Sequence, residues 1–456
     1  MRGTKETLRN YPITKLRNSL FIAGGTIVNA DAKPKLGDVL ITNGKVADIA
    51  APGKIPSKNH SVIDARGLCV APGFIDLHVH LREPGQSHKE TIATGTAAAA
   101  AGGFTSVCAM PNTMPVNDSP EITRWMQATE RDAVVKLHPI AAATMGSQGE
   151  HLTDFRALVE AGAVAVTDDG RPILGDHMMR EALKLAAELG IPVIQHAEDT
   201  RMTQGCTMHY GATAFRLGLR GMPPEAESSI VARDLLLAAK LGAHVHVAHL
   251  STAKALEEIR AARVRGVQVS CEVTPHHLLL TDEEVGDYDT NCKMNPPLRS
   301  EADRQAMWEG LRDGSIDCIA TDHAPHAAHE KDQEFDRAPF GITGLETALP
   351  IALMVAGGDL QLAVQWLSAA PAKAMGWSDR GALRTGAAAD LVIFDPKEEW
   401  IFRAEESKSK SKNSPFLGKC FQGRVRHTIV DGRIVHSERS EESLLTLEHV
   451  SKMTML

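Results

Sequence analysis

Eight apolar runs of strand length recur along the middle of the chain, at 74–80, 106–112, 134–142, 163–169, 191–198, 244–250, 267–273 and 317–324. Between them lie segments with helical patterning, among them 89–101, 176–189, 226–241, 252–264 and 300–313. Strand-then-helix units repeated eight times predict an α/β chain built as a (β/α)8 TIM barrel. A doubly wound open sheet is the alternative, but no G-x-G-x-x-G follows the first strand. Ser300 is placed to cap the helix that starts at Glu301, and the Ala-rich run before Gly102-Gly103 ends on glycine as helices tend to.

Both flanks have a different texture. Short strands broken by Gly, Asn and Pro run from Ser19 to about Val46-Ala47-Asp48-Ile49, and the pattern returns at 389–396 and 425–432. These segments predict a small composite β-sandwich domain from 19–72 plus 376–440, set against a barrel over 73–375. A Ser/Lys-rich stretch at 407–414 reads as an exposed loop. Residues 1–18 and 441–456 read as terminal extensions, the first without the amphipathic pattern of a targeting peptide.

Where the barrel strands end, polar residues collect. The run Phe74-Ile75-Asp76-Leu77-His78-Val79-His80 puts Asp76, His78 and His80 on one face of a strand. Two imidazoles side by side suit one divalent metal, although such a pair also arises by chance. Asp168-Asp169-Gly170, Gln195-His196-Ala197-Glu198, Ala248-His249-Leu250 and Thr321-Asp322-His323 end four further strands. In a barrel these ends share one mouth. Core packing does not explain the convergence, because a buried unpaired imidazole or carboxylate is costly. Four histidines and two carboxylates exceed the needs of one tetrahedral ion and suit a pair of zinc ions sharing a carboxylate. Asp322 is placed to take the proton of a water and return it to a leaving nitrogen.

The remaining polar residues divide less cleanly. Arg82, Asn112, Asn295 and His326 are as compatible with loop structure as with ligand contact, although the planar fork of Arg82 suits a carboxylate. His244 and His246 fall on the strand face opposite His249 and read as structural, as do His276 and His277. Glu198 and Asp199 stand just past His196 and read as groups supporting it.

The formal charge of -8 is mild, and no basic patch argues for nucleic acid. The seven scattered cysteines lack framework spacing, which points to a reducing, cytoplasmic compartment. No apolar run is long enough to span a membrane.

Taken together, PGFIDLHVHLREPG (72–85), AMPNT (109–113), TDDG (167–170), QHAED (195–199), VAHLST (247–252), CEVTPHHLLLTD (271–282), NPPLR (295–299), ATDHAPH (320–326) and FGITGLETALP (340–350) resemble the amidohydrolase superfamily. Within it they are similar to the dihydroorotase family, in its longer bacterial (class I) type. The resemblance implies metal ligands at His78, His80, Asp169, His196, His249 and Asp322, with Asp322 also the general acid and base. It implies that Arg82, Asn112 and His326 hold a substrate carboxylate and that Asn295 lines the same pocket. Strand parity does not choose between Asp168 and Asp169; the choice of Asp169 follows the branch of relatives that bridges metals with aspartate rather than a carbamylated lysine. The implied cofactor is one or two Zn2+ ions. The implied reaction is the reversible cyclisation of N-carbamoyl-L-aspartate to L-dihydroorotate in pyrimidine synthesis. A homodimer and association with aspartate transcarbamoylase are the implied partners. Two alternatives share the motifs: an allantoinase or dihydropyrimidinase acting on a neutral ring, which Arg82 and Asp169 oppose, and an inactive scaffold for aspartate transcarbamoylase, which the six filled ligand positions oppose.

Overall fold

A computed structural model describes residues 19–57, 59–128 and 132–438; the two terminal extensions expected from the sequence lie outside these residues. The central region is a (β/α)8 barrel. Its strands, numbered 1 to 8, are Phe74–Val79, Phe104–Ala109, Lys136–Pro139 continued by Ala141–Ala142, Val166–Thr167, Val193–Gln195, Val245–Val247, Val269–Val273 and Cys318–Ile319. Neighbouring strands run parallel. Closure between strands 8 and 1 comes from a parallel bridge, Val79 to His323, with the His80 N–H on the His323 carbonyl at 2.9 Å. Asp76 adds a second tie across the seam, accepting from the Thr321 N–H at 3.1 Å and its hydroxyl at 2.6 Å.

The outer helices form where the sequence pattern predicts them. Ile92–Ala101 starts on a Thr91 capping box and stops at Gly102. Glu301–Asp313 starts on Ser300, whose hydroxyl accepts from the Asp303 N–H, and ends on Gly314 at φ +79°. Strand residues Val107, Val193, Val245, Val273 and Ile319 share one core with Leu183, Leu235, Ile259 and Leu311 of the helices. Ile75 and Leu77 of strand 1 join Cys108, Ile194 and Cys318 of strands 2, 5 and 8 in a second buried cluster.

Several strands are shorter than the apolar runs that encode them. The run 317–324 yields a ladder only over Cys318–Ile319, and 244–250 only over Val245–Val247. The backbone leaves the sheet beyond these ladders, with His249 at φ +34° and Asp322 at φ +45°. Left-handed conformations are rare for such residues and end extended pairing. The polar residues at the barrel mouth therefore sit on turns held by a rigid rim.

Segments from the two flanks pair into one eight-stranded sheet. Leu391–Ile401, near the C-terminus, lies antiparallel to Cys69–Pro72, which immediately precedes the barrel. Ile22, Ile41, Ile63, Val70, Ile393 and Ile429 form the core of this separate domain. Phe74 joins the two units: its ring lies 5.9 Å from Phe104 of the barrel and 6.3 Å from Phe394 of the sheet. The 407–414 stretch is not the exposed loop expected from composition. Ser409, Ser411 and Asn413 are buried while Lys408 and Lys410 face solvent. The alternation of small polar residues with lysine is the period of an extended segment with one side turned inward.

Candidate metal centre

His78 and His80 leave strand 1 on the same face and meet the carboxylate of Asp322 from the turn beyond strand 8. The Asp322 Oδ1 lies 3.4 Å from His78 Nε2 and 3.0 Å from His80 Nε2. Asp169, beyond strand 4, divides its two oxygens between two pairs of imidazoles. Oδ2 lies 3.5 Å from both His78 Nε2 and His80 Nε2. Oδ1 lies 3.6 Å from His196 Nδ1 and 3.4 Å from His249 Nε2. Asp168 has a different role. Both its oxygens are taken by Thr144, whose N–H donates at 2.9 Å and whose hydroxyl donates at 2.5 Å.

This donor set fits divalent cations. Two overlapping trios, His78–His80–Asp322 and His78–Asp169–His249, each present ligand atoms within 4.8 Å of one another. His78 Nε2 and Asp169 Oδ1 are buried without a hydrogen-bond partner. Each such orphan costs about 1–3 kcal/mol, and a cation between them would satisfy both. The electrostatics agree. Burial pushes the Asp322 carboxyl up, but His78, His80 and His249 outweigh it and hold it below the ordinary carboxylate range. Burial likewise opposes ionisation of Asp169, and His78, His196 and His249 reverse the effect.

Each of three imidazoles is gripped from behind, which fixes the nitrogen it presents. His80 Nδ1 lies 2.8 Å from the Asn112 Oδ1. His196 Nε2 lies 2.9 Å from the Glu198 Oε2, which also accepts from the Asn295 amide at 2.9 Å. His78 Nδ1 lies 3.1 Å from the Glu272 Oε1, while the Glu272 Oε2 lies 3.1 Å from His246 Nε2. His246 thus belongs to a chain that ends on a site imidazole, although its strand face pointed to a structural role. Glu272 escaped the sequence reading. Its signal was a lone acid inside the apolar strand Val269–Val273, where it is 1% exposed. Asp199 does not support His196. It caps the short helix Thr200–Thr203 and pairs with Arg201 at 2.6 Å. His276 and His277 lie buried with rings 4.6 Å apart, and His277 packs on the Thr274 hydroxyl at 2.8 Å.

Arg82 and His326 stand beside the carboxylates at the same mouth. The Arg82 Nε donates to the Pro325 carbonyl at 3.1 Å, and Nη2 lies 3.3 Å from His326 Nε2. Burial drives His326 down to about 2, with Arg82 and Lys89 adding to the effect. Burial also lowers the Arg82 guanidinium, to about 10, which leaves it charged at neutral pH. A buried cation next to a neutral imidazole makes a receptor for an anion.

Known proteins are similar to this chain in sequence and in fold. The profile of the family described as dihydro-orotase-like matches residues 67–255. A protein named dihydroorotase from Geotalea daltonii is 48% identical over 423 residues, 92% of this chain and 99% of the relative. Another of that name, from Anaeromyxobacter sp. (strain K), is 49% identical over 426 residues, 92% of this chain and 98% of the relative. Among solved structures, the L-hydantoinase (dihydropyrimidinase) from Arthrobacter aurescens superposes with a TM-score of 0.82 at 26% identity, covering 94% of this chain and 97% of its own. A D-hydantoinase superposes with a TM-score of 0.81 at 25% identity, covering 92% and 95%.

Proposed function

The chain belongs to the dihydroorotase family, and from that premise we propose that it interconverts N-carbamoyl-L-aspartate and L-dihydroorotate at this barrel mouth. The observation that carries the reading is the Arg82–His326 receptor beside a divided carboxylate, Asp169, and its imidazoles. Hydantoinase-like folding alone suits any cyclic amide. A charged guanidinium buried next to the reacting groups suits a ring that carries its own carboxylate.

The residues proposed to hold the cation are His78, His80, Asp169, His196, His249 and Asp322, and zinc, as one or two ions, is the proposed identity. When bound, such an ion polarises the ring carbonyl and brings water towards a pKa of roughly 7. Arg82, with Asn112 and His326, binds the ring carboxylate and aims the amide carbon at the water, and Asn295 lines the same pocket. Asn112 serves His80 as well. Asp322 accepts the proton of the attacking water and delivers it to the ring nitrogen as the C–N bond breaks. Ring closure reverses these steps. The proposed catalytic barrel spans 73–375, and the proposed small domain 19–72 plus 376–440. A cytoplasmic setting rests on the scattered cysteines; a homodimer and aspartate transcarbamoylase association rest on the family alone. Among the described residues no helix is long and apolar enough to cross a membrane.

Purified, zinc-loaded protein offered L-dihydroorotate, allantoin and dihydrouracil in turn tests the reading. Turnover of dihydroorotate above both neutral rings is expected. Preference for a neutral ring, or no turnover of any with metal bound, overturns it. Arg82→Ala is expected to retain its metal while the transition-state stabilisation read from kcat/KM for dihydroorotate falls by at least roughly 2–3 kcal/mol, the order of a lost charge-assisted pair. Kinetics equal to the parent would remove Arg82 from the pocket.

A further inference from the structure

The inward side of the 407–414 strap carries a consistent set of contacts. The Ser407 hydroxyl donates to Glu346 Oε2 at 2.6 Å. The Lys410 N–H donates to Glu90 Oε1 at 3.1 Å, and the Ser409 hydroxyl donates to the other Glu90 oxygen. The Ser411 hydroxyl donates to the Lys89 carbonyl at 2.6 Å. The strap thus crosses from the turn after strand 8 to the loop after strand 1, the two segments that supply His326 and Arg82.

Asn413 sits at the centre of this crossing and is 4% exposed. Its Oδ1 accepts from the His326 N–H at 2.9 Å. Its Nδ2 donates to the Ala324 and Gly341 carbonyls, both at 3.0 Å. Its own carbonyl accepts from the Thr343 N–H at 3.0 Å. Arg82 holds the carbonyl between these positions, that of Pro325. Three successive residues beyond Asp322 are therefore fixed by two side chains, one from the strap and one from the anion receptor. The fit is close: a Cβ on Gly341 would lie 2.6 Å from His326 Cδ2 and 2.5 Å from the Ala324 carbonyl oxygen. A ring backed this tightly has one position as long as its backbone stays in place.

We propose that Asn413, presented by the small domain's strap, is a positioning residue that sets His326 against Arg82 and so determines recognition of the substrate's carboxylate. The small domain then completes the binding pocket as well as packing beneath the barrel. The inference rests on the dihydroorotase reading above. It assigns the strap an effect on substrate binding rather than on the proton transfer, because Asn413 contacts neither Asp322 nor the imidazoles of the metal centre.

The test is steady-state hydrolysis of L-dihydroorotate by the zinc-loaded full chain and by Asn413→Ala, with zinc content and melting temperature measured on the same samples. The expected result is a KM raised at least tenfold, with kcat within about threefold of the parent and zinc unchanged. Ser411→Ala, which frees the strap from the Lys89 carbonyl, is expected to raise KM at least threefold and decides the matter if Asn413→Ala does not fold, a KM within twofold of the parent again overturning the role. A KM within twofold of the parent, or a fall in kcat that tracks zinc loss, overturns the positioning role. A parent protein that does not turn over dihydroorotate overturns the functional reading and this inference together, whereas an active parent with an unaffected variant overturns this inference alone.

Discussion

Asp322→Asn is expected to give a folded chain whose kcat for dihydroorotate falls by about 10²–10⁴-fold, the range contributed by a positioned general acid and base. Asparagine keeps the size of the side chain and a carbonyl oxygen where Oδ1 lies, 3.0 Å from His80 Nε2. It removes the basic oxygen that accepts a proton and, once protonated, the acid that donates it. The local fold does not depend on that charge. The seam between strands 8 and 1 is tied instead by Asp76 to Thr321 and by the His80 N–H to the His323 carbonyl. Melting within a few degrees of the parent is therefore expected, along with a KM that changes far less than kcat. Turnover near that of the parent would mean that another residue moves the proton. The imidazoles that hold Asp322 ionised also keep it in the proton-accepting state at neutral pH, which suits the hydrolytic direction.

The barrel was readable because its signal is redundant. Eight apolar runs, capped helices and a glycine stop all predict the same architecture, so an error in one strand does not change it. The mouth was readable for a related reason: His78, His80, His196, His249 and Asp322 interrupt or end apolar runs where a solitary polar group would be costly. Sequence periodicity was weakest where the backbone turns out of the sheet. Parity along strand 4 does not choose between Asp168 and Asp169, since neither residue lies on the regular ladder. What distinguishes them is Thr144, more than twenty residues earlier in the chain, which takes both oxygens of Asp168. Glu272 was passed over because strand 7 reads as continuous apolar core, and its two histidine partners come from strands 1 and 6. The strap misled for a compositional reason. Ser and Lys together suggest solvent, yet their strict alternation encodes a segment with one buried side, and only the position of the barrel mouth shows what that side touches.

The adjacent acids of strand 4 allow a paired test with opposite outcomes. Asp169→Asn is expected to lose most of its bound metal and its activity. Asp169 is the only carboxylate among the described residues that faces both pairs of imidazoles, with Oδ2 at 3.5 Å from His78 and His80 and Oδ1 at 3.4 Å from His249. An amide offers one weakly basic oxygen and turns an N–H2 towards the other pair, so four imidazoles lose the negative charge that makes their shared cation favourable. Metal per chain, measured after gel filtration in metal-free buffer, is the direct readout, and kcat falls with it. Asp168→Asn is expected to keep its metal. There the loss is one of two hydrogen bonds to a buried Thr144, a matter of about 1–3 kcal/mol of stability, seen as a lower melting temperature with near-parental turnover per bound metal. If Asp168→Asn emptied the site while Asp169→Asn kept it filled, the bridging role would pass to the neighbouring acid, and the mouth would have to be rebuilt around a rotated strand 4.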